Sequence, residues 1–131
     1  MCMDNGVNIV RGRNKSYNKY GNKKVVVDGH PFDSKREARR YKELKLLERA
    51  GKIKDLELQP KFELIPTIRT DTETLYAVSY YADFRYVECD SGRVIVEDVK
   101  SKGTITQVYK IKKRLFIQKY GDKCIFFENM M

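Results

Sequence analysis

The 131-residue sequence predicts an α/β fold, and three observations carry that prediction. A β-branched run around an Asp-Gly pair marks a hairpin near the start. A capped stretch with apolar residues at every third position marks a helix after it. Strand-like segments follow, separated by Pro and Gly signals, and a second helical pattern comes after them.

In chain order, Lys24-Val-Val-Val-Asp28-Gly29-His-Pro-Phe32 reads as a short hairpin whose turn is Asp28-Gly29. Ser34 then stands where a helix cap belongs, and Glu37 three residues on completes a capping box. The helix should run to about Ala50 and end at Gly51. Its inner stripe is Ala38, Tyr41, Leu44, Leu47 and Ala50, widened by Leu46. Three strands are expected next: Ile53 to Leu64, broken by Pro60, then Leu75 to Val87, then Val94 to Val99, with Ser91-Gly92 turning between the last two. Thr104 to Tyr120 reads as the second helix, with Ile105, Val108, Ile111 and Leu115 inside and Lys110, Lys112, Lys113, Arg114 and Lys119 around them. Cys124 to Phe127 supplies a last strand. The order is hairpin, helix, three strands, helix, strand, with no internal repeat.

Composition narrows the function. Hydrophobic residues at 41% and charged residues at 34% suit a soluble globular domain. No apolar run approaches the roughly 20 residues that a membrane span needs, and Met1 to Arg13 lacks the apolar core of a signal peptide. A cytoplasmic protein without a membrane partner is expected. Cys2, Cys89 and Cys124 are odd in number and far apart, which suggests neither a disulfide framework nor a zinc site.

The net charge of +9, from 27 Lys and Arg against 18 Asp and Glu, points to a polyanionic partner. Basic residues dominate both flanks, whereas residues 53–99 hold ten acidic and five basic side chains. A centre that holds a cation and still attracts phosphate needs such a distribution; an unevenly charged solvated surface is the plain alternative. Residues 1–22 read as a flexible basic arm, in which Arg11, Arg13, Lys15 and Lys19 would meet phosphates while Tyr17 and Tyr20 stack on bases. A solubilising tail explains them equally well. Residues 23–131 are expected to form one domain.

The chemistry centres on Asp98-Val99-Lys100. Acid-x-Lys spacing also occurs at Asp33-Ser-Lys35 and Glu43-Leu-Lys45, so spacing alone proves nothing. Only the third copy ends a strand, Val94-Ile-Val-Glu-Asp-Val-Lys100, in which residues two apart point to one face. Asp98 and Lys100 then project together, with Val96 and Val94, while Glu97 turns to the other face with Ile95 and Val99. A strand-end ion pair is the bland reading of the same residues. Asp83 is the one acid inside Ser79-Tyr-Tyr-Ala-Asp-Phe-Arg-Tyr86, and pairing of the two strands would bring two carboxylates to one end of the sheet. Their mutual repulsion is relieved by a hard divalent cation, and Mg²⁺ takes one or two carboxylates and fills its remaining positions with water and phosphate oxygens. Lys100 would orient or activate water, or offset charge on the phosphate. Gln59, before Pro60, is a second-tier polar candidate beside a turn role. Lys113, Tyr109 and Lys110 on the second helix are candidate DNA contacts, with a solvated lysine face as the alternative. His30 reads as a hairpin residue.

This order of elements and these residues together resemble the PD-(D/E)XK nuclease superfamily. The resemblance implies a restriction-endonuclease-like core, helix, three strands, helix, strand, with a central mixed sheet. It implies catalysis by Asp83, Asp98 and Lys100, metal held by Asp83 and Asp98, and a helix glutamate that maps to Glu37. The chain is most similar to a group of small phage-encoded proteins. Four strings carry that likeness over about residues 18–128: Phe32 to Lys35, Leu58 to Phe62, Ala82 to Phe84 and Glu97 to Lys100. Ala82 stands where the signature has Pro. The implied function is a Mg²⁺-dependent DNA endonuclease in phage DNA metabolism, with Mn²⁺ substituting and branched DNA as a special case. A homodimer would let two sites cut two strands. The alternative is a basic DNA-binding module that keeps the fold without cleaving. Retained acids weigh against it, because binding alone requires no carboxylates facing a polyanion.

Overall fold

The protein is described by a computed structural model covering residues 24–130; the basic arm expected over residues 1–22, with Arg11, Arg13, Lys15 and Lys19, lies outside the described residues. The chain divides after Leu47 into two compact units.

In the first unit, β1 (Val25–Val27) and β2 (His30–Phe32) pair antiparallel, Val25 opposite Phe32 and Val27 opposite His30. Asp28 and Gly29 both adopt positive φ, 53° and 79°, as a two-residue turn matched to strand twist requires. Helix α1 (Lys35–Arg49) follows, its start fixed by Ser34. The Ser34 hydroxyl accepts the Glu37 N–H at 3.1 Å and the Ser34 carbonyl accepts the Ala38 N–H. Ala38, Tyr41 and Leu44 are buried, as their spacing predicts. Leu46 is exposed and Ala50 lies past the helix end, so the apolar stripe is narrower than expected. The Tyr41 ring packs on Phe32 and His30, and its hydroxyl donates to Asp28 at 3.0 Å. Gly51, with φ +78°, ends the helical path.

The second unit holds a mixed sheet of four strands in the order β10, β9, β8, β3. Strands β3 (Ile53–Leu58), β8 (Phe84–Glu88) and β9 (Val94–Lys100) run antiparallel in turn, and β10 (Ile125–Met130) lies parallel to β9. Ser91-Gly92 turns between β8 and β9 as expected, with Gly92 at φ +74°. The parallel pairing needs a crossover, which is supplied by helix α2 (Gln107–Tyr120).

Two expected strands are each divided. β3 stops at Leu58 and the chain resumes as β4 (Lys61–Ile65); opposite it, β7 (Val78–Tyr81) stops before β8. The breaks face one another, since the Gln59 N–H bonds to the Asp83 carbonyl and the Ala82 N–H to the Pro60 carbonyl. Gln59 has φ +50° and Pro60 lacks an N–H, so the ladder cannot run straight through. The ribbon leaves the main sheet there and β4 pairs with β7 separately. Asp83, expected inside a strand, therefore sits at this joint. Of two short strands at the ribbon's far end, β5 (Ile68–Arg69) carries no signal read from the sequence, and β6 (Thr74–Leu75) meets the expected strand only at Leu75.

Helix α2 also differs from expectation. A 3-10 turn (Lys102–Thr104) comes first, and Thr106 caps the helix by accepting the Tyr109 N–H at 3.1 Å. Ile105 and Leu115 pack on the core as expected, but Val108 and Ile111, also expected inside, are 63% and 53% exposed, whereas Tyr109 and Phe116 are buried. Ring packing decides the rotation. Phe116 meets Phe62, Tyr80, Tyr120 and Phe126 with centroids 4.8–5.7 Å apart, a gain that two β-branched side chains do not offer. One core cluster of this unit is thus Phe62, Leu64, Tyr80, Ala82, Val96, Tyr109 and Phe116, while Ile53, Phe84, Tyr86, Ile95 and Val99 are buried as well.

This rotation is testable by denaturant unfolding. Phe116→Ala should cost about 3–5 kcal/mol, and Val108→Ala and Ile111→Ala each less than about 0.5 kcal/mol. A loss at Ile111 equal to that at Phe116 would return the helix to the face read from its sequence pattern.

Candidate active site at the end of the mixed sheet

Strand β9 separates two polar groups by parity. On one face Asp98 stands with Val96 and Lys100; Asp98 is 3% exposed, and the Lys100 ammonium lies 3.6 Å from its Oδ1. Its other oxygen accepts a hydrogen bond from the Tyr80 hydroxyl. On the opposite face Glu97 is fully buried and accepts from the Tyr86 hydroxyl at 2.7 Å and the Asn129 amide at 2.8 Å. Asp98 and Lys100 are therefore together, and Glu97 is turned away from them, as alternation along the strand requires.

Asp83 reaches the same strand from the ribbon joint. Its backbone N–H donates to the Glu97 carbonyl at 3.1 Å, and its Oδ2 accepts the Val99 N–H at 2.7 Å. Beyond Phe84 the neighbouring strand has left the sheet, so the carboxylate takes the place of a ladder acceptor. Gln59 is tied to this corner through its backbone bond to Asp83, and its own residue is exposed. Its positive φ is backbone strain beside the candidate centre.

Helix α2 and strand β10 close the Asp98 face. Glu128 is the register partner of Asp98 on β10. Its Oε1 accepts from the Tyr109 hydroxyl at 2.8 Å and from the Lys113 ammonium at 2.6 Å. The Lys113 hydrogen bond, first among the causes, holds the Glu128 carboxyl below the ordinary glutamate range. The Lys100 ammonium rests 4.2 Å from the Tyr109 ring centroid. Burial, then the Asp98 charge and hydrogen bond, push the Tyr80 phenol far up. Burial, then the Glu128 hydrogen bond, do the same to Tyr109. The Asp98 and Asp83 charges both contribute to raising the two phenols. Both phenols thus remain protonated donors.

Of the residues singled out by sequence, Asp83, Asp98 and Lys100 lie around this corner with Tyr109 and Lys113. Tyr109 faces inward, 7% exposed, and Lys113 is bound to Glu128; Lys110 is exposed on the helix. Glu37 lies in the first turn of α1, in the other unit. Tyr80 and Glu128 escaped sequence reading. Glu128 had a signal, being the lone acid in an apolar last strand and of one parity with Phe126. Tyr80 had none beyond the aromatic run around it.

Among the described residues no group of three or more His, Cys, Asp or Glu side chains forms a site that could hold a metal ion. A cation at this corner would have two carboxylates and no thiol or imidazole from the residues described above, a hard oxygen donor set that fits Mg²⁺ with water and phosphate completing its sphere. Among the described residues no helix is long and apolar enough to cross a membrane.

No curated protein and no solved structure matches the chain. A family model described as "Protein of unknown function (DUF1064)" matches residues 17–128. The match spans most of the sequence, and the chain belongs to the DUF1064 family.

Proposed function

We propose that this protein is a Mg²⁺-dependent nuclease that hydrolyses phosphodiester bonds in DNA, with Asp83, Asp98 and Lys100 at its centre. One observation carries the reading: a carboxylate 3% exposed faces an ammonium at 3.6 Å, and a second carboxylate, from Asp83, is bound to the same strand at the Val99 N–H. Burying Asp98 costs free energy that a hydrophobic residue would not. A protein that only bound DNA would gain nothing from setting acids beside the cations that meet the backbone. The net charge of +9 favours a polyanionic substrate, and the resemblance to the PD-(D/E)XK superfamily supplies the same three residues. The sequence of helix, antiparallel strands, crossover helix and parallel strand is what a restriction-endonuclease-like core would have.

In this reading Asp83 and Asp98 would hold the cation, and Tyr80 keeps Asp98 oriented by donating to one of its oxygens. The bound ion would polarise a phosphoryl oxygen and lower the pKa of water. Lys100, 19% exposed at its side chain, presents a fixed positive charge to the phosphate as negative charge grows on it. Lys110 and the other exposed cations of α2 would draw the DNA backbone toward the corner.

Single-turnover cleavage of linear, flapped and four-way DNA tests this through two neighbouring acids. Asp98→Asn should slow cleavage by about 100-fold or more with DNA binding retained. Glu97→Gln should leave the rate of the folded protein within about threefold, because its side chain faces away, while costing about 1–3 kcal/mol through the disturbed Tyr86 and Asn129 bonds. Equal rates for wild type and Asp98→Asn would remove the proposal.

Metal dependence provides a second check. Mg²⁺ and Mn²⁺ should support cleavage, whereas Ca²⁺, larger and more loosely coordinated, should support binding with little turnover. Full activity in excess chelator would rule out a metal mechanism.

A further inference from the structure

Glu128, Tyr109 and Lys113 form a connected group beside the proposed centre. Both donors onto Glu128 reach the same oxygen, Oε1, one from the Tyr109 hydroxyl and one from the Lys113 ammonium. The Tyr109 ring in turn carries the Lys100 ammonium on its face, 4.2 Å from the centroid. Asp98 Oδ1 lies 3.6 Å from the same ammonium.

We infer that Tyr109 and Glu128 are positioning residues for Lys100: the ring is the seat that holds the ammonium against Asp98, and the Glu128 carboxylate holds the ring. What Lys100 then accomplishes rests on the nuclease reading, whereas where it is held does not. A lysine stem has four rotatable carbons, and an ammonium free to swing would spend little of its time at the phosphate. The electron-rich ring face attracts the cation, and a phenol that donates to a carboxylate is polarised toward greater electron density on the ring. Glu128 is kept ionised by Lys113, which makes it the stronger acceptor. Misplacement of a catalytic group by about 1 Å can cost about 100-fold in rate, so a seat of this kind bears directly on turnover.

Tyr109 is also part of the core, so the test must separate packing from seating. Tyr109→Phe keeps the ring and loses the hydroxyl; Tyr109→Leu keeps an apolar side chain and loses the π face. Glu128→Ala leaves the ring in place without its anchor and serves where the leucine variant unfolds. All three are checked by circular dichroism and thermal melting. The first readout is independent of cleavage: acetylation of Lys100 by an N-hydroxysuccinimide ester at fixed pH, mapped by mass spectrometry. Lys100 should be labelled about tenfold faster in Tyr109→Leu and several-fold faster in both Glu128→Ala and Tyr109→Phe, each of which loses the bond that holds the ring. The second readout is Mg²⁺-dependent cleavage, where Tyr109→Leu should lower the single-turnover rate by about 30-fold or more without changing the half-saturating DNA concentration. Tyr109→Phe, which keeps the π face without its anchor, should lie between the leucine variant and wild type.

Equal labelling of Lys100 in wild type and both the leucine and alanine variants overturns the inference. So does a phenylalanine variant as impaired as the leucine one. If the wild-type protein leaves DNA intact, the nuclease reading falls, and the labelling comparison still decides whether the ring is the seat of Lys100.

Discussion

Burying the Asp98 carboxylate in an inner strand of the sheet requires partners, because an ionised group taken from water without them is far costlier than any neighbouring apolar contact can offset. The partners come from three directions. Tyr80 donates from the ribbon strand β7, Lys100 lies two residues on along β9, and the Tyr109 ring on α2 holds Lys100 in place. Tyr80 and Tyr109 belong to the apolar cluster around Phe116, so that cluster and the candidate centre share residues. The rotation of α2 follows from it. Turning Tyr109 outward to bury Val108 would remove both the ring under Lys100 and a donor to Glu128.

The joint where the ribbon leaves the sheet has an equally local cause. Gln59 in a left-handed conformation and Pro60 without an N–H interrupt one strand, and Ala82-Asp83 interrupts its partner at the same level. A departing strand leaves the Val99 N–H without a main-chain acceptor, and the Asp83 carboxylate fills that position. One geometric fault thus delivers a second acid to the strand that carries the first. Parity along β9 does the rest by sending Glu97 to a separate network with Tyr86 and Asn129.

Local signals were legible where the chemistry is local. The Asp28-Gly29 turn, the Ser34 cap, the Gly51 stop and the Ser91-Gly92 turn all depend on a few adjacent residues, and the structure has each where the sequence reads it. The pairing of Asp98 with Lys100 on one face needed only the two-residue repeat of a strand. The inner face of α2 was legible from spacing only in part: Leu115 packs on the core as read, but Val108 and Ile111 fit a helical stripe as well as Tyr109 and Phe116 do. Rings contributed by β4, β7 and β10 chose between them. The joint at Asp83 depends on two distant segments breaking together, and the roles of Glu128 and Tyr80 exist only once β10 and β7 are in place. Pro60 was visible as a break, but its consequence for Asp83 lay across the ribbon.

A metal-dependent nuclease of this design must take up a divalent cation at Asp83 and Asp98 and not at the fully buried Glu97. Calorimetric titration of Mn²⁺ into the wild-type protein and into Asp83→Asn, Asp98→Asn and Glu97→Gln addresses that point without reference to any substrate. Saturable binding that is retained in Glu97→Gln and lost in both aspartate variants is the predicted result. Binding that persists unchanged in Asp83→Asn and Asp98→Asn, with all variants folded, would contradict it.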